Sequence, residues 1–95
     1  MKLQDLDAFF LLLRGDAPVI TIDIAQGVFF RCPACTDGHG IIAWFRDRGV
    51  PDEELPGPGR WAPVGTGIDD LTLMPSINVK GCWHGFVKDG EITNA

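Results

Sequence analysis

Apolar residues recur at helical spacing at the start of this chain and at a spacing of two through much of the rest. Leu3, Leu6, Phe9 or Phe10, and Leu13 fall three to four positions apart, Gln4, Asp5 and Asp7 occupy the first turns, and Gly15 is a suitable stop. That spacing predicts an N-terminal helix over residues 1–15. The unbroken apolar run from Ala8 to Leu13 is wider than one buried stripe requires; the helix is expected to wedge into the core, with a surface for a second copy or a partner as the alternative.

From Pro18 the period shortens. Val19, Thr21 and Asp23 alternate with Ile20, Ile22 and Ile24, a β-branched series that predicts a half-buried strand. A turn at Ala25-Gln26-Gly27 leads into Val28-Phe29-Phe30-Arg31, and Ile41 to Phe45 is expected to return beside it. Residues 46–67 contain four of the seven prolines and five of the twelve glycines, which predicts a loop excursion. Trp61 is expected to fold back from that loop near the start of a short strand. Residues 70–74, 76–79 and 83–87 read as further strands, and Lys88-Asp89-Gly90 signals a hairpin into Glu91-Ile92-Thr93. Trp44, Phe45, Trp83 and Phe86 are assigned to packing, since buried aromatics supply much of the apolar area available to a small core.

The expected fold is therefore α+β. It is one domain over residues 1–95, with the helix at 1–15 and a mostly antiparallel β core at 18–95. With 95 residues such a domain buries only a modest share of its apolar surface, so metal or covalent support is expected. No secretory signal is apparent and Ala8–Leu13 is too short for a membrane span, which favours a cytoplasmic setting in which thiols bind metal. The net charge of −5 argues against a protein that tracks a nucleic-acid backbone, leaving only Arg46, Arg48 and Arg60 for a local basic patch.

The chemistry concentrates in the three cysteines. Arg31-Cys32-Pro33-Ala34-Cys35 places two thiols in a tight turn that Pro33 restrains, and Gly81-Cys82-Trp83-His84-Gly85 adds a third thiol and an imidazole. On a strand, Cys82 and His84 share a face, so Cys32, Cys35, Cys82 and His84 form the expected Zn2+ ligand set, similar to a zinc ribbon. The one-residue gap departs from the two-residue spacing of common zinc knuckles. His39, four positions after Cys35 and flanked by glycines, is the alternative to His84.

Two enzymatic readings compete with a structural ion. A Cys-x-x-Cys pair can exchange disulfides, but no helix follows to lower the pKa of the first thiol. A hydrolytic zinc would need an open coordination position and a nearby base, and neither histidine belongs to a His-x-Glu or His-Glu-x-x-His pattern. Asp37 and Asp89, the nearest carboxylates, are explained by turns. No catalytic residue is assigned.

Three pieces also carry a resemblance: Phe30-Arg31-Cys32-Pro33-Ala34-Cys35 with His39 following, Leu71-Thr72-Leu73-Met74-Pro75-Ser76-Ile77, and Cys82-Trp83-His84-Gly85-Phe86-Val87-Lys88-Asp89-Gly90-Glu91-Ile92. Together they resemble the DUF6527 family of small phage and prophage proteins, sometimes labelled ammonia monooxygenases. The resemblance implies a compact β-rich metal-binding domain with Cys32, Cys35, Cys82 and His84 at the ligand positions, and no monooxygenase, because copper ligands and a membrane portion are missing. In relatives the spacing of the second Cys and His often differs. The expected function is a zinc-stabilised interaction module, a phage or prophage accessory protein in a bacterial cytoplasm that binds a host or phage protein. The alternatives are a zinc hydrolase or thiol-redox enzyme and a nucleic-acid-binding zinc ribbon.

Overall fold

The computed structural model describes residues 1–14, 20–35 and 37–95. Among the described residues there are seven strands: β1 Phe9–Leu11, β2 Gly27–Arg31, β3 Gly40–Trp44, β4 Ala62–Val64, β5 Thr72–Val79, β6 Trp83–Lys88 and β7 Glu91–Asn94. They form two antiparallel sheets, ordered β1-β2-β3 and β4-β5-β6-β7. The α+β expectation is corrected to an essentially all-β fold, because the described residues contain no α-helix, only short 3₁₀ turns at Leu3–Leu6 and Ile68–Asp70.

The N-terminal helix fails for a tertiary reason. Asp7 adopts a left-handed conformation, with φ 53°, and ends the 3₁₀ turn after one revolution. The next residues then pair with β2, which puts Phe9 opposite Phe29, their rings stacked at 4.8 Å. Phe10 turns inward against Phe45, with centroids 6.4 Å apart. An apolar run satisfies either period, and here cross-strand packing outweighs helical propensity. The continuous helical surface proposed for self-association is thereby replaced by a strand with Phe9 outside and Phe10 inside.

The strand expected over Val19–Ile24 is also corrected, its first residue lying outside the described residues. Residues 22–24 form a turn in which Thr21 C=O accepts from Ile24 N–H at 3.2 Å and Ala25 N–H at 2.9 Å. The Arg48 guanidinium holds this turn by donating to the carbonyls of Ile22 and Ala25 at 2.9 and 2.7 Å. Ile24 is half exposed, so its β-branched side chain serves no buried face.

Elsewhere alternation decides the structure as a half-buried strand requires. Trp83, Gly85 and Val87 point into the core from β6, while His84, Phe86 and Lys88 face outward. The core joins both sheets through Val28, Phe30, Ile41, Phe45, Leu73, Ile77 and Val87, with the Phe30 ring edge-on to Trp83. Gly85 admits the Trp83 indole, because a Cβ there would run into that ring and the Thr93 carbonyl.

Backbone pairing also connects the sheets. Leu3 N–H donates to Gly90 C=O at 2.8 Å and Ile92 N–H to Met1 C=O at 2.7 Å, which ties the N-terminus to the β7 edge. On the other side Trp61 N–H donates to Trp44 C=O at 3.0 Å, and Arg46 N–H to Trp61 C=O at 2.8 Å, a parallel bridge beyond β3. Trp61 thus returns to the body of the domain just before β4. The loop that precedes it is organised around Arg60, whose guanidinium donates to the carbonyls of Pro51, Glu54 and Gly59 at 2.6, 3.1 and 2.8 Å.

Candidate metal centre

The β2–β3 ladder continues one step past the strands, where Cys32 N–H donates to His39 C=O at 2.9 Å. This extra rung holds Cys32 and His39 side by side at the neck of the connection, with Cys35 at its tip. Gly38, at φ 65°, reverses the chain there while its N–H donates to Cys35 C=O at 3.3 Å. Across the sheet boundary, β5 ends in a tight turn in which Cys82 N–H donates to Val79 C=O at 2.9 Å, and Gly81 supplies the positive φ of 80°.

These two connections bring together Cys32, Cys35, His39 and Cys82, whose ligand atoms all lie within 4.8 Å of one another. Cys32 Sγ is 3.0 Å from Cys82 Sγ, and Cys82 Sγ is 3.5 Å from His39 Nε2. Tetrahedral zinc, with Zn–S about 2.3 Å and Zn–N about 2.0–2.1 Å, has neighbouring ligand atoms about 3.4–3.8 Å apart. The Cys82–His39 separation fits this spacing and the Cys32–Cys82 separation is shorter, so the four residues could hold a metal ion with the sulfurs moved apart. Cys35 and Cys82 also sit at disulfide distance, with Cα atoms 6.4 Å apart, inside the range that a disulfide spans. The same residues therefore suit two exclusive chemistries, three thiolates on an ion or one disulfide beside the buried Cys32 thiol.

The two candidate histidines fall in different places. His84 lies on the outer face of β6, its Nε2 3.3 Å from Ser76 Oγ and away from the thiols. The shared-face argument required Cys82 and His84 to stand on one strand, but β6 starts at Trp83 and Cys82 belongs to the preceding turn. His39, the alternative, stands beside the thiols. The clustered residues therefore divide as three from the β2–β3 connection and one from the β5–β6 turn, unlike the two-plus-two division of paired knuckles.

Asp37 completes the centre. Its Oδ1 lies 2.9 Å from His39 Nδ1 and 3.2 Å from the His39 backbone nitrogen. A carboxylate only accepts, so in the neutral ring the proton belongs on Nδ1 and the Nε2 lone pair faces the thiols. Hydrogen bonding from the His39 side chain, and then from its backbone, holds the Asp37 carboxyl below its ordinary value. This carboxylate–histidine relay is the usual outer support of a metal-bound imidazole. A turn-forming Asp two positions before a candidate histidine was the available signal in the sequence.

Among the described residues, no helix is long and apolar enough to cross a membrane. Comparison with protein-family models, with curated proteins and with solved structures yields no match to this chain.

Proposed function

We propose that this chain is a small protein-interaction module whose two sheets are pinned together by one structural Zn2+ on Cys32, Cys35, Cys82 and His39. The observation that carries the proposal is the convergence of three thiols and an oriented imidazole from both sheets at one point. Four protein ligands fill a tetrahedral ion and leave no position for a reacting water, which favours architecture over hydrolysis. Structural zinc contributes about 10–16 kcal/mol in finger peptides, comparable to the about 5–15 kcal/mol stability of a whole domain. The ion therefore governs folding. The phage or prophage accessory role, with a host or phage protein as partner in a bacterial cytoplasm, extends this reading through the sequence resemblance.

The contact of Cys35 with Cys82 supports a second reading, in which a disulfide replaces the ion. Closing a loop between cysteines 47 positions apart contributes about 4 kcal/mol on the chain-entropy model, well below the zinc figure. Metal analysis and alkylation of protein purified anaerobically separate the two. One zinc per chain, with three thiols alkylated after chelation, is the expected result; a metal-free, folded chain with one reactive thiol contradicts it.

A further inference from the structure

The strand β4 fills only part of the boundary between the sheets. Through Trp61 it runs parallel to the chain beyond β3, and through Ala62–Val64 it runs antiparallel to Thr72–Met74 of β5. Immediately before Trp61 the chain leaves this line, and residues 56–60 loop away around the Arg60 guanidinium. Gly40–Ile42 of β3 and Pro75–Val79 of β5 consequently face a cleft of about 450 Å³, which Pro58 and Trp61 also line.

Both walls offer unpaired backbone. The Cys32–His39 and Gln26–Phe45 hydrogen bonds set the phase of the β2–β3 ladder, so the N–H and C=O groups of Ile41 and Ala43 face β2 and those of Gly40 and Ile42 face the cleft. On β6, His84 C=O accepts from Ala95 on the β7 side, so Trp83 and Gly85 bond to their β5 partners Val79 and Ile77. Ser76 and Asn78 then present their backbone groups outward. The Trp61 indole N–H takes the Ser76 carbonyl at 3.3 Å, and among the described residues no backbone partner meets Asn78 from this side. Two half-ladders, each with a two-residue repeat, stand across a space that β4 already bridges one step further along.

We infer that this cleft is a docking site for an extended, uncharged peptide segment of a partner protein, which enters between β3 and β5 in line with β4. The inserted segment runs parallel to β3 and antiparallel to β5, and its backbone bonds to Ile42 on one side and Asn78 on the other. Its side chains are small or β-branched, because the lining is mostly apolar and the two terminal nitrogens of Arg60 are engaged by loop carbonyls, with the buried Arg60 Nε–H left as a donor that a peptide carbonyl can meet. A folded second copy fits poorly, since each of its strands is already paired on at least one side and cannot bond to both walls. The site lies next to the metal centre, with His39 preceding one wall and Cys82 following the other, so the cluster sets the spacing of the two walls at that end. The inference rests on the reading of the chain as an interaction module and names the surface it uses.

The test is selection of a phage-displayed library of random 12-residue peptides on the full, reduced, zinc-loaded chain. An enriched peptide is then synthesised and its binding is followed by amide hydrogen exchange. Binding is expected to slow exchange at Ile42 and Asn78, and N-methylation at alternate peptide positions is expected to weaken it at least tenfold. Ile42→Pro removes an N–H that faces the cleft and not β2, and should weaken binding at least tenfold with metal content unchanged; Asn78→Pro tests the opposite wall if the first variant does not fold. Failure to enrich any peptide, a protection footprint outside both walls, or indifference to N-methylation overturns the proposal. Metal content measured on the same sample separates the two claims. Binding with this footprint to a zinc-free chain removes the zinc reading and keeps the cleft, and a zinc-saturated chain that binds nothing removes the cleft alone.

Discussion

The two sheets are joined differently at the cysteine cluster and at the strand edges. At the cluster the connection is made by side chains, with Cys32, Cys35 and His39 from one sheet's β2–β3 connection and Cys82 from the other sheet. At the edges it is made by backbone, through Met1 and Leu3 on β7 and through Trp61 beyond β3. Backbone joints share their load over several modest hydrogen bonds, each worth about 0.5–1.5 kcal/mol net. A metal joint places comparable or greater free energy on a few atoms, so it is vulnerable to single substitutions and to chelation.

Cys82→Ser should have the largest effect, because among the described residues Cys82 is the one candidate ligand that the second sheet brings to the cluster. The expected outcome is loss of metal and of cooperative thermal unfolding, read by metal analysis and circular dichroism. A variant that keeps its melting transition would show that the edges alone suffice. Phe30→Ala comes next. Fully buried and edge-on to Trp83, Phe30 contributes to the core shared by both sheets, and its removal should cost about 3–5 kcal/mol in denaturant unfolding of the zinc-loaded protein.

Asp37→Ala probes the metal joint without removing a ligand. Loss of the carboxylate behind His39 should reduce zinc affinity about 10–100-fold in chelator competition, while His84→Ala should leave it unchanged. The smallest effect is expected at Asp70, whose carboxylate accepts from Thr66 N–H, Gly67 N–H and Thr66 O–H at 2.9–3.1 Å. Those bonds, the Thr66 N–H first, lower its pKa below the ordinary 3.8. Its contribution is therefore present above the unfolded-state value and disappears as the pH falls through the folded-state value. Asp70→Asn should lower the melting temperature slightly at neutral pH, and the difference from the parent chain should close on acidification below 3.8.

The contrast between side-chain and backbone joints also explains what could be read from the sequence. The thiols were legible because Cys32-Pro33-Ala34-Cys35 makes a turn by itself and Cys82 is the one remaining cysteine. The strands from β2 onward were largely legible too, since Phe30, Ile41 and Val87 follow a period of two with polar or turn residues around them. The choice between His39 and His84 was not legible, because it depends on whether Cys82 belongs to the strand or to the turn before it. The N-terminus was misread for a related reason: Ala8–Leu13 carries no polar residue to mark a face, so Phe29 and Phe45, distant in sequence, decide the outcome. The strand read over Val19–Ile24 failed because Arg48 holds its carbonyls in a turn, a contact that local pattern does not contain. The open cleft has no sequence signature either, since it exists where residues 56–60 leave the line that β4 follows.

The central claim is that one zinc ion rests on Cys32, Cys35, Cys82 and His39. Zinc X-ray absorption spectroscopy on anaerobically purified protein, compared across the parent chain, His39→Ala and His84→Ala, tests it most directly. The account predicts one zinc per chain with three sulfurs and one nitrogen, unchanged in His84→Ala and stripped of its imidazole signal in His39→Ala. An imidazole signal lost in His84→Ala and kept in His39→Ala, or a metal-free parent chain joined by Cys35 and Cys82, would contradict it.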